Sequence, residues 1–486
     1  MKQQTSPLGD MPLEEFQAAM DRIVAWICRY RSEIDRLPVL PEVKPGQLRE
    51  TLAAEAPEQG EAMEQIWQDF ERLILPGITH WNHPRFFAYF SITGSLPGAL
   101  AELASAVLNV NAMLWKTSPA ATELEEVTLA WLRRMLGLPE AFFGLIYDTA
   151  SISTMHALAA ARDANPELAI REKGMAGRAE LPRLRIYTSD QAHSSVEKAA
   201  ITLGFGLEGV SKIPSDERFQ MIPAKLAEAV ARDRREGWLP LAVVATVGTT
   251  STTSVDPVPA IAEICRQENL WLHVDAAYGG MAAILPEKRH VLEGCQQADS
   301  IVVNPHKWLF VPIDLSAFYT RRPEVLRRAF SLVPAYLQTP EDAQVNNLMD
   351  YGLQLGRRFR ALKLWFVMRY FGRQGLQSRI RQAIALADQL AGWIDRHPNF
   401  QRMAPVPFST VCFRARPPHI EQIEALNRFN RALLEQINRG RRVFLSGTEV
   451  KGQFVLRAAI GNILTTEAHL ADLWDQIQSA YQQLAG

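Results

Sequence analysis

The chain has 486 residues, which is too long for one compact hydrophobic core, so two or three structural units are expected. Its 47% hydrophobic and 22% charged residues are typical of an ordinary soluble globular protein. Because 52 basic residues nearly balance 53 acidic ones, the net charge of −1 produces no global field that would favour nucleic acid or an anionic membrane. Neither is therefore expected as a partner.

Two missing patterns narrow the class of protein further. The polar segment 1–10 has no apolar core of a signal peptide, and no apolar run approaches the length of a membrane span. A reduced cytoplasm is therefore the expected compartment. The cysteines have neither CxxC nor metal-ligand spacing, so no metal site is predicted; they are Cys28, Cys265, Cys295 and Cys412.

The N-terminal part of the chain is predicted to be helical. An amphipathic pattern covers residues 11–36, and a second helical pattern covers residues 61–75. Both helices have wide apolar faces but precede the main sheet. They are therefore expected to pack on the large domain or on a second subunit.

From about residue 96 the pattern changes to short apolar runs that alternate with helical segments, which predicts βαβ units and a mainly parallel sheet. The predicted strands cover residues 184–189, 241–247, 270–274 and 300–303.

The later chain contains two breaks. Segment 332–344 is polar and contains proline, which predicts a mobile loop, and a helix is predicted over residues 355–370. Beyond Gly372 and Gly375, strand patterns at 410–414 and 454–459 mixed with helices indicate a smaller α+β domain. The predicted division is an N-terminal helical segment at 1–95, a large α/β domain at 96–374 and a small domain at 375–486.

A lysine and an aspartate follow two of the predicted strands. Lys307 comes after strand 300–303, between His306 and Trp308, and Asp275 follows strand 270–274. The carboxyl ends of parallel strands meet at one sheet edge, where such sheets hold cofactors. A partly desolvated lysine can form an imine, and an aspartate can keep a ring nitrogen protonated, which is the pair that pyridoxal phosphate (PLP) needs. A surface lysine and a helix-capping aspartate are the alternatives.

Several polar residues at strand ends have two possible roles. Thr149, Ala150 and Ser151 open a helix, where they either cap it or bind phosphate through backbone amides. Thr250, in a turn rich in hydroxyl groups, is similarly ambiguous. His193 after strand 184–189 is either structural or lies flat on a bound ring.

An aromatic run precedes the sheet. Trp81, Tyr89 and Phe90 belong either to the core or subunit interface, or to the wall of a pocket for an apolar, even aromatic, side chain.

Taken together, these motifs resemble the PLP-dependent group II amino-acid decarboxylases, in order and approximate spacing, over nearly the whole chain. The matching motifs lie at 78–81, 83–90, 117–125, 193–197, 245–250, 273–278, 304–309 and 355–360. The resemblance implies the aspartate-aminotransferase-like fold (fold type I), with a mainly parallel seven-stranded sheet and a small C-terminal α+β domain. It also implies an obligate homodimer whose N-terminal helices clasp the partner subunit and whose active sites lie at the interface.

The same resemblance assigns roles to individual residues. Lys307 corresponds to the imine lysine, Asp275 to the partner of the pyridine nitrogen, and His193 to the residue stacked on the ring. Tyr336 matches a loop tyrosine that helps to reprotonate Cα, while aldehyde-forming relatives carry phenylalanine there. The remaining cofactor contacts implied are Thr149, Ala150, Ser151, Thr250, Ala277, Asn304 and His306.

The function implied is decarboxylation of an L-amino acid to its amine through an external aldimine. Aromatic substrates are expected from Trp81, Tyr89 and Phe90, although Met113 stands where aromatic-specific relatives often place phenylalanine. The alternatives are an acidic or small amino-acid substrate, for which Arg85 or an arginine of a second subunit would neutralise a distal carboxylate, an aldehyde synthase, and a non-catalytic dimer that retains the fold.

Overall fold

The computed structural model describes residues 9–90, 92–332 and 339–485. Residues 333–338 of the predicted loop at 332–344, which include Tyr336, therefore lie outside the described residues. Within the described ranges, no helix is both long and apolar enough to cross a membrane.

The larger sheet has seven strands in the spatial order β1-β7-β6-β5-β4-β2-β3. Strand β7 is antiparallel to both of its neighbours, and the other pairs are parallel. The four predicted strands of this sheet and its mainly parallel character are confirmed. The strands are β1 (Phe143–Tyr147), β2 (Arg183–Ser189), β3 (Val210–Ile213), β4 (Trp238–Thr246), β5 (Trp271–Asp275), β6 (Ser300–Val303) and β7 (Ser316–Thr320).

Helices cover both faces of this sheet, which is why its central strands are buried and mostly apolar. One core cluster joins one face of the sheet to helices α5, α9, α10 and α13, and another joins the opposite face to α6, α8 and α12. These helices are α5 (Pro119–Leu136), α6 (Ala150–Asp163), α8 (Ser195–Thr202), α9 (Pro223–Arg235), α10 (Val258–Glu268), α12 (Pro323–Phe330) and α13 (Ala361–Arg396). The remaining helices are α1 (Leu13–Glu33), α2 (Gln47–Thr51), α3 (Met63–Asp69), α4 (Leu96–Leu108), α7 (Ile170–Lys173), α11 (Pro305–Trp308), α14 (Ile423–Arg439) and α15 (Glu467–Ala485).

The helix predicted over 355–370 begins six residues later, at Ala361. The contacts of Arg357 account for this later start. Its backbone amide donates to Asn111 Oδ1, and its carbonyl oxygen accepts from the Ala112 amide. Its buried guanidinium also donates to the carboxylate of Glu125 at 2.6 Å and to the carbonyl oxygen of Ile146 at 2.9 Å. These long-range contacts hold segment 355–360 out of the helix.

The smaller sheet is antiparallel, with the strand order β10-β11-β9-β8. Its strands are β8 (Phe400–Arg402), β9 (Thr410–Ala415), β10 (Ser446–Val450) and β11 (Gln453–Ala459). The predicted strands at 410–414 and 454–459 are confirmed as β9 and β11. Helices α14, α15 and the second half of α13 cover one face of this sheet. Helix α13 is kinked at Gly372, where φ is +61°, close to the predicted boundary at 374/375. The three-part division of the chain remains a prediction.

The N-terminal helix α1 matches its predicted position but has no buried residue. Leu13, Phe16 and Val24 are exposed on it, while Trp26 packs against Trp67 and Phe70 of the second helical segment. This apolar surface has no partner among the described residues of the same chain.

Candidate active site

A cavity of about 440 Å³ opens at the carboxyl edge of the larger sheet, and this volume is that of ordinary small-molecule sites. The structure brings the predicted site residues together in its wall, apart from Met113 and from Tyr336, which is not described. The predicted residues in the wall are Trp81, Tyr89, Phe90, Thr149, Ala150, Ser151, His193, Thr250, Asp275, Ala277, Asn304, His306 and Lys307.

Lys307 lies in the short helix α11, directly after β6. Burial lowers the pKa of its amine, the nearby charge of Asp275 opposes that shift, and the charge of Arg457 adds to it. The ammonium nitrogen lies 5.2 Å from the centre of the Phe90 ring. A larger fraction of this amine is therefore the nucleophilic free base at neutral pH than for an exposed lysine.

Asp275 ends strand β5 and is buried. Its Oδ1 accepts a hydrogen bond from the backbone amide of Ala277 at 3.1 Å. The parallel register places Thr246 of β4 directly beside it. The sequence analysis missed Thr246, which lines the cavity with a buried hydroxyl that has no partner among the described residues.

His193 lies beyond β2, and its Nδ1 accepts a hydrogen bond from the Ser195 amide at 3.1 Å. Burial lowers the pKa of the imidazole, the charges of Lys307 and Lys198 lower it further, and Asp275 opposes them. The ring is therefore neutral at pH 7. Because Nδ1 accepts, the single ring proton sits on Nε2.

His306 and Asn304 form another part of the wall. Burial, reinforced by the charge of Lys307, lowers the pKa of His306 to about 4. Its Nδ1 accepts from the Leu315 amide at 2.9 Å, so Nε2 carries the proton; Nε2 lies 3.4 Å from the side-chain nitrogen of Asn304. The hydrogen-bond network assigns the Asn304 amide the opposite orientation, with its oxygen accepting from Nε2–H. In that orientation both N–H groups of Asn304 remain available as donors.

The N-terminus of α6 faces the same cavity through Thr149, Ala150 and Ser151. The first amides of a helix lack intrahelical acceptors, and the helix dipole favours an anion there. Together with the donors of Asn304, this end of the cavity suits a phosphate group.

Arg457 of β11 is a second residue that the sequence analysis missed, although a lone arginine within an apolar strand was a usable signal. It is 4% exposed, and its Nε donates to the Ser251 carbonyl at 2.9 Å. Its Nη1 donates to the Tyr89 carbonyl, and the guanidinium lies 4.4 Å from the centre of the Phe90 ring. Its Nη2 has no partner among the described residues.

The aromatic residues form one wall. Trp81 and Tyr89 are stacked with ring centres 5.8 Å apart, and Phe90 is stacked on Tyr278 at 4.0 Å. Met113 instead packs beside Leu114 and Met349, away from the cavity of its own chain.

Arg85, the candidate for binding a distal carboxylate, does not line the cavity either. Its guanidinium pairs with Asp35 and Asp472.

The residues present fit PLP. Buried polar groups normally have hydrogen-bond partners, yet Thr246, Asn304 and Arg457 each have one buried polar atom in this wall without a partner among the described residues. The cavity also offers an amine for the aldehyde, a carboxylate for the ring nitrogen and a helix N-terminus for the phosphate. Such a constellation, on a sheet of this topology, defines a PLP-dependent enzyme of fold type I.

Comparison with known proteins agrees with the geometry. Residues 45–416 match the pyridoxal-dependent decarboxylase conserved domain. The chain is 40% identical over 485 residues to the aromatic-L-amino-acid decarboxylase of Sus scrofa, with 98% of each chain covered. It is 39% identical over 483 residues to a phenylacetaldehyde synthase of Arabidopsis thaliana, with 97% of this chain and 96% of the other covered.

The crystal structure of Oryza sativa TDC with PLP and tryptamine superposes with a TM-score of 0.94 at 36% identity, covering 99% of this chain and 100% of the other. The chain therefore belongs to the pyridoxal-dependent decarboxylase family, and it is a PLP-dependent carboxy-lyase.

The charges around Lys307 predict the pH dependence of its reactivity. In the PLP-free protein, an amine-acylating reagent should modify Lys307 with a pH midpoint below the ordinary value of 10.5. Asp275→Asn should move that midpoint lower still, because the carboxylate stabilises the ammonium form. Mass spectrometry of the labelled peptide across a pH series measures both midpoints. Equal midpoints in the two proteins would contradict the assigned pairing, and Glu263→Gln on the distant helix α10 provides the matched control.

Proposed function

We propose that the protein decarboxylates an aromatic L-amino acid to the corresponding amine and carbon dioxide. One observation carries the proposal: Lys307 and Asp275 line the same cavity as an aromatic wall formed by Trp81, Tyr89 and Phe90. Flat apolar walls favour a planar side chain by burial and by ring stacking.

Bound PLP supplies the electron sink that accepts the electron pair of the broken Cα–carboxylate bond. In the PLP-loaded protein, the carboxylate of Asp275 would pair with the ring nitrogen through a charge-assisted hydrogen bond worth roughly 1.5–3 kcal/mol. Lys307, whose pKa is lowered by burial, would be the amine that attaches the cofactor. His193, a neutral imidazole in the cavity wall with its proton on Nε2, would lie against the ring and could donate to a substrate carboxylate.

The phosphate end of the cofactor is assigned to the α6 N-terminus, Asn304 and His306. The neutral His306 adds no charge there; its Nε2–H would hold the oxygen of the Asn304 amide, so that both N–H groups of Asn304 are free to donate to the phosphate. Thr250 and Ala277 would line the space beside the cofactor. By holding the phosphate, these residues would limit the orientations that the cofactor can adopt in the cavity.

A second candidate substrate is an acidic amino acid, because the buried guanidinium of Arg457 lies in the cavity wall and its Nη2 has no partner among the described residues. Arg457 replaces Arg85 as the cation that would meet a distal carboxylate. The aromatic wall favours the first candidate, since an extended acidic side chain would leave those rings against water.

Carbon dioxide release by the PLP-loaded protein across the twenty L-amino acids, DOPA and 5-hydroxytryptophan tests the substrate class. We expect release from tryptophan, tyrosine, phenylalanine or their hydroxylated forms, because these can fill the aromatic wall. Release from glutamate or aspartate alone would contradict the aromatic assignment and favour the Arg457 alternative. Lys307→Ala is the control for background release.

Tyr336 is proposed as the proton donor to Cα, on the strength of the motif that surrounds it in the sequence. Replacing it by phenylalanine removes the phenolic proton while retaining the ring. We expect amine formation in Tyr336→Phe to fall by about 10²-fold or more, the usual contribution of a positioned acid. Part of the substrate should instead be converted to aldehyde, with dioxygen as the oxidant and ammonia and hydrogen peroxide as by-products. Chromatographic measurement of both products decides this, and an unchanged amine rate would remove the assignment. Tyr370→Phe, on an exposed helix surface, is the matched control.

A homodimer with shared active sites is also proposed. Helix α4 leaves a row of apolar side chains exposed, with Leu100 at 62% and Val107 at 69%, and α1 has no buried residue. Exposed apolar surface of this extent is typical of an interface. A second subunit would also bring Met113 within reach of a neighbouring cavity.

The cytoplasm is the proposed compartment, in keeping with four unpaired cysteines, one of which is exposed.

The dimer proposal predicts a sedimentation mass twice that of the 54.6 kDa chain. The double change Leu100→Glu and Val107→Glu should shift the protein to the monomer, because two buried carboxylates would lack partners. Sedimentation velocity at several concentrations measures the shift. Ile423→Glu and Leu484→Glu, on helices of the small domain, should leave the mass unchanged. A monomeric parent protein would contradict the proposal.

A further inference from the structure

Tyr89 has an unusual backbone conformation for a bulky residue. Its φ is +52°, in the left-handed region that side chains other than glycine rarely adopt. Such a conformation persists only where the surroundings hold it in place. Something close to Tyr89 therefore stabilises this turn.

Both backbone polar groups of Tyr89 are held by side chains of the smaller sheet. Its amide donates to Ser446 Oγ of β10 at 3.2 Å, and its carbonyl accepts from Nη1 of Arg457 on β11. The preceding residues are attached to the same region, since the Phe87 amide donates to the Phe444 carbonyl at 2.9 Å and the Ala459 amide donates to the Phe87 carbonyl at 2.8 Å.

The left-handed turn has a consequence for the cavity. In an extended chain, successive side chains point to opposite sides, so Tyr89 and Phe90 could not both face one space. With the turn at Tyr89, both rings line the cavity. The Tyr89 ring is 55% exposed, stacks on Trp81 and meets the edge of Phe444 at 6.0 Å.

Arg457 also contacts the Phe90 ring, which in turn packs on buried aromatic residues of the core. Phe90 is stacked on Tyr278 with ring centres 4.0 Å apart, and the Arg457 guanidinium lies 4.4 Å from the centre of the same Phe90 ring. Tyr278 is itself stacked on Trp308 at 4.8 Å. These successive contacts link the guanidinium to three rings and hold Phe90 in position.

We propose that Ser446 and Arg457 are positioning residues that determine substrate affinity by holding Tyr89 in its left-handed conformation, so that the Tyr89 and Phe90 rings face the substrate together. This inference rests on the proposed aromatic substrate. Ser446 acts through the Tyr89 amide and not by contact with the reacting atoms.

Ser446→Ala tests the proposal, because it removes one hydrogen bond from a half-buried strand residue, whereas truncating the buried Arg457 risks unfolding. We expect KM for the preferred aromatic substrate to rise about fivefold, the equivalent of one ordinary hydrogen bond, with kcat within about twofold and the cofactor absorbance unchanged. Ser446→Thr, which keeps the hydroxyl, should restore KM. Ser378→Ala, on an exposed helix surface, is the matched control.

A double-mutant comparison separates positioning from direct substrate contact. In a Tyr89→Ala background, Ser446→Ala should change KM by less than about twofold, because its effect passes through the lost ring. An equal rise in KM in both backgrounds would overturn the proposal.

Hydrogen exchange of the segment 86–92 gives a readout without substrate. Ser446→Ala should speed exchange of the Tyr89 amide about fivefold, and Ser378→Ala should not. If the parent protein turns over only acidic amino acids, the aromatic function fails, but the exchange result still decides whether Ser446 holds Tyr89. Unchanged exchange together with unchanged KM would overturn the inference.

Discussion

The parallel hydrogen-bond ladder of β4, β5 and β6 is the constraint on which the active site depends. It sets Thr246 beside Asp275, and it brings Lys307 to the same edge, three residues past Asn304. A shift of one residue in either register would turn the side chains at this edge to the opposite face. Close packing of helices on both faces opposes that shift, because the side chains on each face fit the helices that cover them.

The same edge carries buried polar groups that have no hydrogen-bond partner in the part of the chain that the structure describes. Such groups cost stability, and they persist where a ligand completes them. The low effective dielectric that makes them costly also lowers the pKa of Lys307 and of His193. One physical condition, burial, thus prepares the cavity to bind a charged cofactor and favours the uncharged forms of its amine and its imidazole.

Three separate parts of the chain complete the cavity. The larger sheet supplies the polar groups, the segment before α4 supplies the aromatic wall, and the smaller sheet supplies Ser446 and Arg457. Arg457 joins the three, since it contacts Ser251, Tyr89 and Phe90. A planar guanidinium can donate in several directions at once, which a lysine cannot reproduce. The smaller sheet therefore acts on the shape of the pocket as well as on the packing of the domain.

Local sequence pattern determined the strands β2, β4, β5 and β6, the helix α1, and the positions of Lys307 and Asp275 at the carboxyl ends of strands. Apolar periodicity and strand ends are properties of neighbouring residues, which is why local pattern was enough for these features. Tertiary structure alone decided the antiparallel β7, the late start of α13 at Ala361, the distance of Met113 from its own cavity, and the roles open to Arg457. Each of these depends on contacts between residues far apart in the chain, and local pattern carries no information on which distant partner a buried charge or backbone group will meet.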